Sequence, residues 1–114
     1  MTDPERHVMF LACADTAVCG SVYGLVDDRH AGTGRVGGMW VDPAWRGRGV
    51  GASLLAAAMA WAGERGFTRL ELSASLHSPV ALALYRRAGF HDTGVRRRMP
   101  GRPHLEVVER VRVL

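Results

Sequence analysis

Lysine is absent from this chain of 114 residues, and all fifteen of its basic side chains are arginine. A phosphate loop of the Walker type requires a lysine, so that route to nucleotide binding is excluded. Cysteine is nearly absent too. Cys13 and Cys19 stand in apolar, strand-like surroundings with no second pair and no histidine at metal-ligand spacing. They read as reduced, half-buried thiols, and no metal site is expected. No apolar run approaches the ~20 residues that a membrane helix needs. The opening Met1-Thr2-Asp3-Pro4-Glu5-Arg6 also lacks the basic-then-apolar order of a signal peptide. A cytoplasmic protein with no membrane partner is expected.

What is present fits one soluble domain over residues 1–114, with 47% hydrophobic and 23% charged residues. A net charge of +4 raises the question of nucleic acid, and Arg96-Arg97-Arg98 is the compact basic run. On an extended segment these side chains alternate between faces, and no aromatic residues are interleaved to stack on bases. A solvated strand end or a phosphate-contacting rim is the better reading, and no nucleic-acid partner is expected.

The first half of the chain reads as strands and turns: an apolar run at 8–13, a second strand at 18–26 with Gly20 and Gly24 as weak points or bulges, and a third at 35–41. The period then changes. Val50, Leu54, Leu55, Ala58, Trp61 and Ala62 recur at helical spacing, followed by Arg65 in the last turn and a glycine stop at Gly66. A strand at 69–74 follows. Ser78 as N-cap and Pro79 at the first helical position open a second helix, 79–88, which Gly89 ends. Two more strands, 90–98 and 105–113, flank a loop at 100–103. On the last strand Leu105, Val107, Glu109, Val111 and Val113 form a largely apolar face, while Glu106, Val108, Arg110 and Arg112 form a mostly charged one. The predicted order is β-β-β-α-β-α-β-β, a mixed α/β (α+β) fold with a mostly antiparallel sheet of about six strands and two main helices.

The segment Gly47-Arg48-Gly49-Val50-Gly51-Ala52 joins the third strand to the first helix. Its glycines clear side chains from a helix N-terminus, where unpartnered N–H groups and the helix dipole favour an anion. It formally satisfies the dinucleotide fingerprint G-x-G-x-x-[GA], and Glu71 lies near the offset of that fold's ribose-binding acid. That fold places its glycines directly after the first strand. Here three strands and Asp42-Pro43-Ala44-Trp45 precede them, and too little chain remains for a doubly wound sheet.

The spacing Arg46-x-x-Gly49-x-Gly51 resembles the acyl-CoA loop, [QR]-x-x-G-x-[GA], of the GNAT acetyltransferase superfamily. Downstream, residues 78–90 are similar to the family's N-x-x-A-x-x-L-Y-x-x-x-G-F helix, through Ala81, Leu84, Tyr85, Gly89 and Phe90. The resemblance covers about residues 18–113. It implies an acyl-CoA N-acyltransferase fold that is short at the N-terminus, because the family's usual first strand and two helices have no counterpart among the seven residues before Val8. Ser78 also stands where the family commonly has asparagine.

The resemblance further implies an enzyme that moves acetyl from acetyl-CoA, with no metal, to a primary amine in a ternary complex. Backbone N–H groups of Gly47, Gly49, Val50, Gly51 and Ala52 would seat the pyrophosphate, with Arg46 and Arg48 beside it and Ser78 and Tyr85 near the cofactor. In the family the strand before the loop splays from the next one, and backbone groups of Met39, Trp40 and Val41, which match that position, would pair with the pantetheine arm. Tyr85 matches the family's general acid, and Glu71 and His77 are candidate bases. The acceptor is a small-molecule or peptide amine, and a homodimer is expected because a missing wall leaves an apolar edge or patch. Two other functions stay open at this point: a non-catalytic acyl-CoA-binding module completed by a partner chain, and a basic nucleic-acid-binding domain.

Overall fold

The computed structural model describes residues 6–99 and 101–114. The polar opening at 1–5 and Pro100 of the expected 100–103 loop lie outside the described residues. Strands β1 (His7–Ala14), β2 (Ala17–Val26) and β3 (Thr33–Val41) form an antiparallel meander. A 3-10 turn at Pro43–Trp45 leads into α1 (Val50–Glu64), then β4 (Arg69–Ser75), α2 (Pro79–Arg87), β5 (His91–Met99) and β6 (Arg102–Val113). All six strands join one sheet in the order β1-β2-β3-β4-β6-β5. The expected element order is therefore found in full, with ends that coincide or differ by up to three residues.

Both helices pack on one face of this sheet, for reasons visible in their side chains. Leu54, Leu55, Ala58 and Ala62 make a buried stripe along α1 at helical spacing. Against it lie Val22 of β2, Val36 of β3, Leu70, Leu72 and Ala74 of β4, and Val108 of β6. Two helix ends are set by capping chemistry. The Gly66 N–H donates to Gly63 O and the Phe67 N–H to Ala62 O as the chain leaves α1, with Gly66 at φ 76°. Arg65, expected in the last turn, is the C-cap residue instead. The Ser78 hydroxyl accepts from the Ala81 N–H at 3.3 Å and opens α2 ahead of Pro79, as its sequence predicts.

Two expectations from the sequence need correction. Gly24 is not a bulge of β2, whereas Gly20 borders one: Ala12 pairs with Gly20 and Cys13 with Val18, which leaves Cys19 as the extra residue of β2. A Cβ on Gly24 would lie 2.7 Å from Trp61 Cζ3 and one on Gly20 2.9 Å from Val50 Cγ1, so these glycines let α1 approach the strand closely. A second register shift falls between Ser21 and Tyr23, opposite the Gly37-Gly38 stretch of β3. On β6 the helices cover the charged face. Val108 joins the core, Arg110 donates from Nε to Phe90 O at 3.1 Å, and Arg112 donates to Ala88 O at 2.6 Å. Alternation identified two faces; it did not say that arginines would cap the carbonyls at the end of α2. Of the two thiols, Cys19 is buried and Cys13 exposed, so they do not share the half-buried state expected of them.

One interruption in the sheet matters most for function. β3 and β4 pair in parallel over residues 33–36 and 69–72 only, and the remaining five residues of β3 and three of β4 diverge. On their outer sides both remain paired, Trp40 with Ser21 and Ser73 with Glu109. The split therefore leaves the inward edge of residues 37–41 without a ladder partner among the described residues, while the strands themselves stay fixed.

Candidate active site

The chain leaves the split at Val41 and turns sharply before entering α1. Asp42 makes that turn, its carboxylate accepting from the Ala44 N–H at 2.9 Å while its own N–H donates to Cys19 O at 2.8 Å. Arg46 Nε donates to Val41 O at 3.2 Å, tying the start of the glycine loop back to the end of β3. Arg48 stacks its guanidinium over the Trp45 ring, 4.8 Å from the centroid. Both arginines thus shape the loop.

Gly49 is the N-cap of α1 and has φ 82°, in the left-handed region that favours glycine. No side chain caps the helix. Its carbonyl accepts the Ser53 N–H at 3.0 Å, so the preceding N–H groups at the start of the helix have no acceptor within it. A Cβ at Gly47 or Gly49 would meet no described atom within 4 Å, so the space beside these two glycines is open. Gly51 acts differently. A Cβ there would lie 2.9 Å from Leu84 Cδ2, so the Leu84 side chain packs over this glycine and a larger residue would have to displace its methyl.

These elements surround a cavity of about 570 Å³ that includes Val41, Arg46, Gly47, Gly49, Val50, Gly51 and Ala52 in its lining. The structure thus gathers seven of the predicted cofactor-binding residues. It also adds Val80, Leu84, Arg87 and Ala88, which form one face of α2 at positions i, i+4, i+7 and i+8. That spacing was present in the sequence, and Arg87 could have been found from it. Met39 and Trp40 lie beside the split, Met39 against the core and Trp40 exposed on the opposite face. Ser78 is used as the α2 cap.

Tyr85 belongs to the hydrophobic core, its ring edge-to-face with Phe90 at 6.4 Å. Its hydroxyl makes no hydrogen bond among the described residues, yet it is not among the fully enclosed unpartnered atoms, which are Thr33 Oγ1 and Arg112 Nε. The ring is buried while the oxygen keeps an opening. Burial pushes the phenol above its usual range, so it stays protonated at neutral pH.

The two candidate bases lie apart from this tyrosine's environment. Glu71 points to the sheet face opposite the helices, where its carboxylate accepts from Arg35 at 3.2 Å and from Arg69 at 3.2 Å. Alongside it Glu109 accepts from Ser73, Arg97 and Arg35. Burial raises the Glu109 carboxyl, but the hydrogen bonds from Ser73, Arg97 and Arg35 outweigh it and hold the group below its ordinary value. His77 is exposed in the turn between β4 and α2, its backbone N–H bonded to Ser75 Oγ. The charged network on β3, β4, β5 and β6 was not singled out from the sequence, because its members come from four strands and only the sheet register brings them together.

Residues 1–90 match the model of the acetyltransferase (GNAT) family. An aminoglycoside N(6')-acetyltransferase type 1 from Stenotrophomonas maltophilia is 34% identical over 103 residues, covering 82% of this chain and 65% of the relative. A mycothiol acetyltransferase from Clavibacter sepedonicus is 46% identical over 55 residues, covering 48% of this chain and 18% of the relative. The chain therefore spans less than two thirds of either curated relative. Among solved structures, an IAA acetyltransferase from Bacillus cereus superposes with a TM-score of 0.80 at 21% identity, covering 96% of this chain and 79% of that one. At that identity the likeness is one of fold. The family match over residues 1–90, on a fold with a split sheet and a glycine-opened helix, shows that the chain belongs to the GNAT acetyltransferase family.

Proposed function

We propose that this protein is an N-acetyltransferase that moves acetyl from acetyl-CoA directly to a primary amine. The observation that carries this reading is the uncapped N-terminus of α1 opening beside the unpaired edge of β3. The open space at Gly47 and Gly49 fits a pyrophosphate, whose oxygens would accept from the first N–H groups of α1, which have no acceptor within the helix. Arg46 and Arg87 line the same cavity and supply positive charge. An extended amide-bearing arm fits the split, where residues 39–41 offer backbone donors and acceptors as another strand would.

Transfer needs a neutral amine, whose lone pair attacks the thioester carbonyl carbon. The new C–N bond forms and the C–S bond breaks, the amine losing one proton and the departing thiolate gaining one. Tyr85 is the donor for the thiolate, being protonated at neutral pH with its oxygen free. The desolvation that raises the phenol also disfavours a bare thiolate in the same surroundings, so the two stay matched for proton transfer. Glu71 has its oxygens engaged by Arg35 and Arg69, which favours loss of the amine proton to water.

The test is release of free CoA thiol from acetyl-CoA in the presence of a panel of primary amines. Amine-dependent release is expected. Binding of acetyl-CoA without release by any amine would leave a non-catalytic acyl-CoA-binding module as the correct reading.

A further inference from the structure

On the sheet face opposite the helices, two adjoining cavities of about 370 and 340 Å³ lie across β3, β4, β6 and β5. Arg29, Arg35 and Arg97 line both, and Arg69 lines the first. The opposing charges in the lining are Glu71 and Glu109, and each already accepts from two guanidiniums. Asp27 holds Arg29 with contacts at 3.2 and 3.4 Å, and even with it counted the lining keeps an excess of positive charge.

The donors are not exhausted. Arg97 uses Nε and one terminal nitrogen on Glu109, and Arg29 uses Nε and one terminal nitrogen on Asp27. Each guanidinium carries five N–H groups in a planar fork, so a terminal nitrogen on each remains for a ligand oxygen. Both side chains reach solvent, with exposures of 49% for Arg97 and 61% for Arg29. Arg35 is fixed from beneath by Glu71, Ser73 and Glu109 and supplies charge without freedom to move.

The position matters as much as the charge. Ser73, in the lining of the second cavity, is the first residue of β4 beyond its pairing with β3. The cavity therefore adjoins the mouth of the split, while the glycine-loop cavity lies at the end of β3 between α1 and α2.

We propose that the arginine-lined cavity selects the acceptor and takes an amine that carries an oxyanion, carboxylate or phosphate, read by Arg97 and Arg29. The assignment of an acceptor rests on the transferase reading above; the anion preference does not. It also separates this chain from its aminoglycoside-modifying relative. A polycation entering here meets arginines, and both carboxylates in the lining are already engaged.

The experiment is calorimetric titration of the CoA-saturated protein with matched amines: 4-aminobutyrate against butylamine, O-phosphoethanolamine against ethanolamine, and an aminoglycoside. Each oxyanion-bearing amine is expected to bind at least about tenfold more tightly than its counterpart that lacks the oxyanion, as charge-assisted hydrogen bonds allow. The two pairs distinguish carboxylate from phosphate as the preferred group. Arg97→Gln is expected to reduce that preference about tenfold, and Arg97→Lys to keep most of it. Equal affinity within both pairs, no binding of either anion, or tighter binding of the aminoglycoside would overturn the proposal. Anion binding without CoA release from acetyl-CoA would refute the transferase reading and leave the arginine site standing.

Discussion

The two faces of the sheet are made by the same strands and carry opposite chemistry. The helix-covered face of β1 to β4 buries Val22, Val36, Leu70, Leu72 and Ala74 under α1. The other face presents Met9, Leu11, Tyr23 and Trp40 toward β1 and an arginine–glutamate network toward β5. Alternation along a strand explains why two faces exist, and the helices explain which one is dry. The covered face supports the glycine loop and Tyr85, and under the proposal above the uncovered face takes the acceptor.

That comparison can be broken most severely at Tyr85. Tyr85→Phe is expected to lower turnover by about two orders of magnitude or more, the range for losing a general acid. Affinity for acetyl-CoA and thermal stability should barely move, because the hydroxyl has no hydrogen-bond partner to lose among the described residues. Steady-state kinetics combined with acetyl-CoA titration separates the two effects, and unchanged turnover would remove Tyr85 from the mechanism.

A stability comparison sharpens the contrast between the faces. Leu55, fully buried under α1, is expected to cost about 2–5 kcal/mol when changed to Ala. Leu11, 54% exposed on the opposite face, should cost no more than about 0.5 kcal/mol. Denaturant unfolding of the two variants measures the difference. Similar losses would mean that the open face is covered in solution, as a homodimer would cover it.

The charged half of the open face gives a smaller effect that depends on pH. Glu109→Gln should destabilise by about 1–3 kcal/mol at neutral pH, since it weakens hydrogen bonds that involve charged partners. The Glu109 carboxyl is held below its ordinary value when folded, so its contribution is fully present above the unfolded value of about 4.3. It is lost as pH falls through the folded value. The gap between wild type and variant in a melting series should therefore close on acidification. A gap that stays constant to acid pH would show that the ion pairs do not hold this carboxylate.

Much of this architecture could be read from residue order. Helical spacing in α1, the Ser78-Pro79 start of α2 and the glycine loop were each local patterns, and local patterns state their own chemistry. The split in the sheet was expected at residues 39–41 through the family resemblance, not from any residue there. What was not legible depended on register. Arg35, Glu71, Ser73, Arg97 and Glu109 lie on four strands, and they become one network only when β3, β4, β6 and β5 align. The role of Gly51 was hidden for a similar reason. As part of the motif it looked like a phosphate contact, and its spacing from Leu84 adds a packing requirement.

The account rests on an anion seat at the start of α1, and calorimetric titration of acetyl-CoA into Gly49 variants tests it most directly. Asn and Asp both tolerate the left-handed backbone that Gly49 adopts, and they differ in charge. Gly49→Asp places a carboxylate over the unpartnered N–H groups and should weaken acetyl-CoA binding about 100-fold or more, with Gly49→Asn weakened far less. Equal affinity of the wild type and Gly49→Asp would contradict the claim that this loop holds the cofactor.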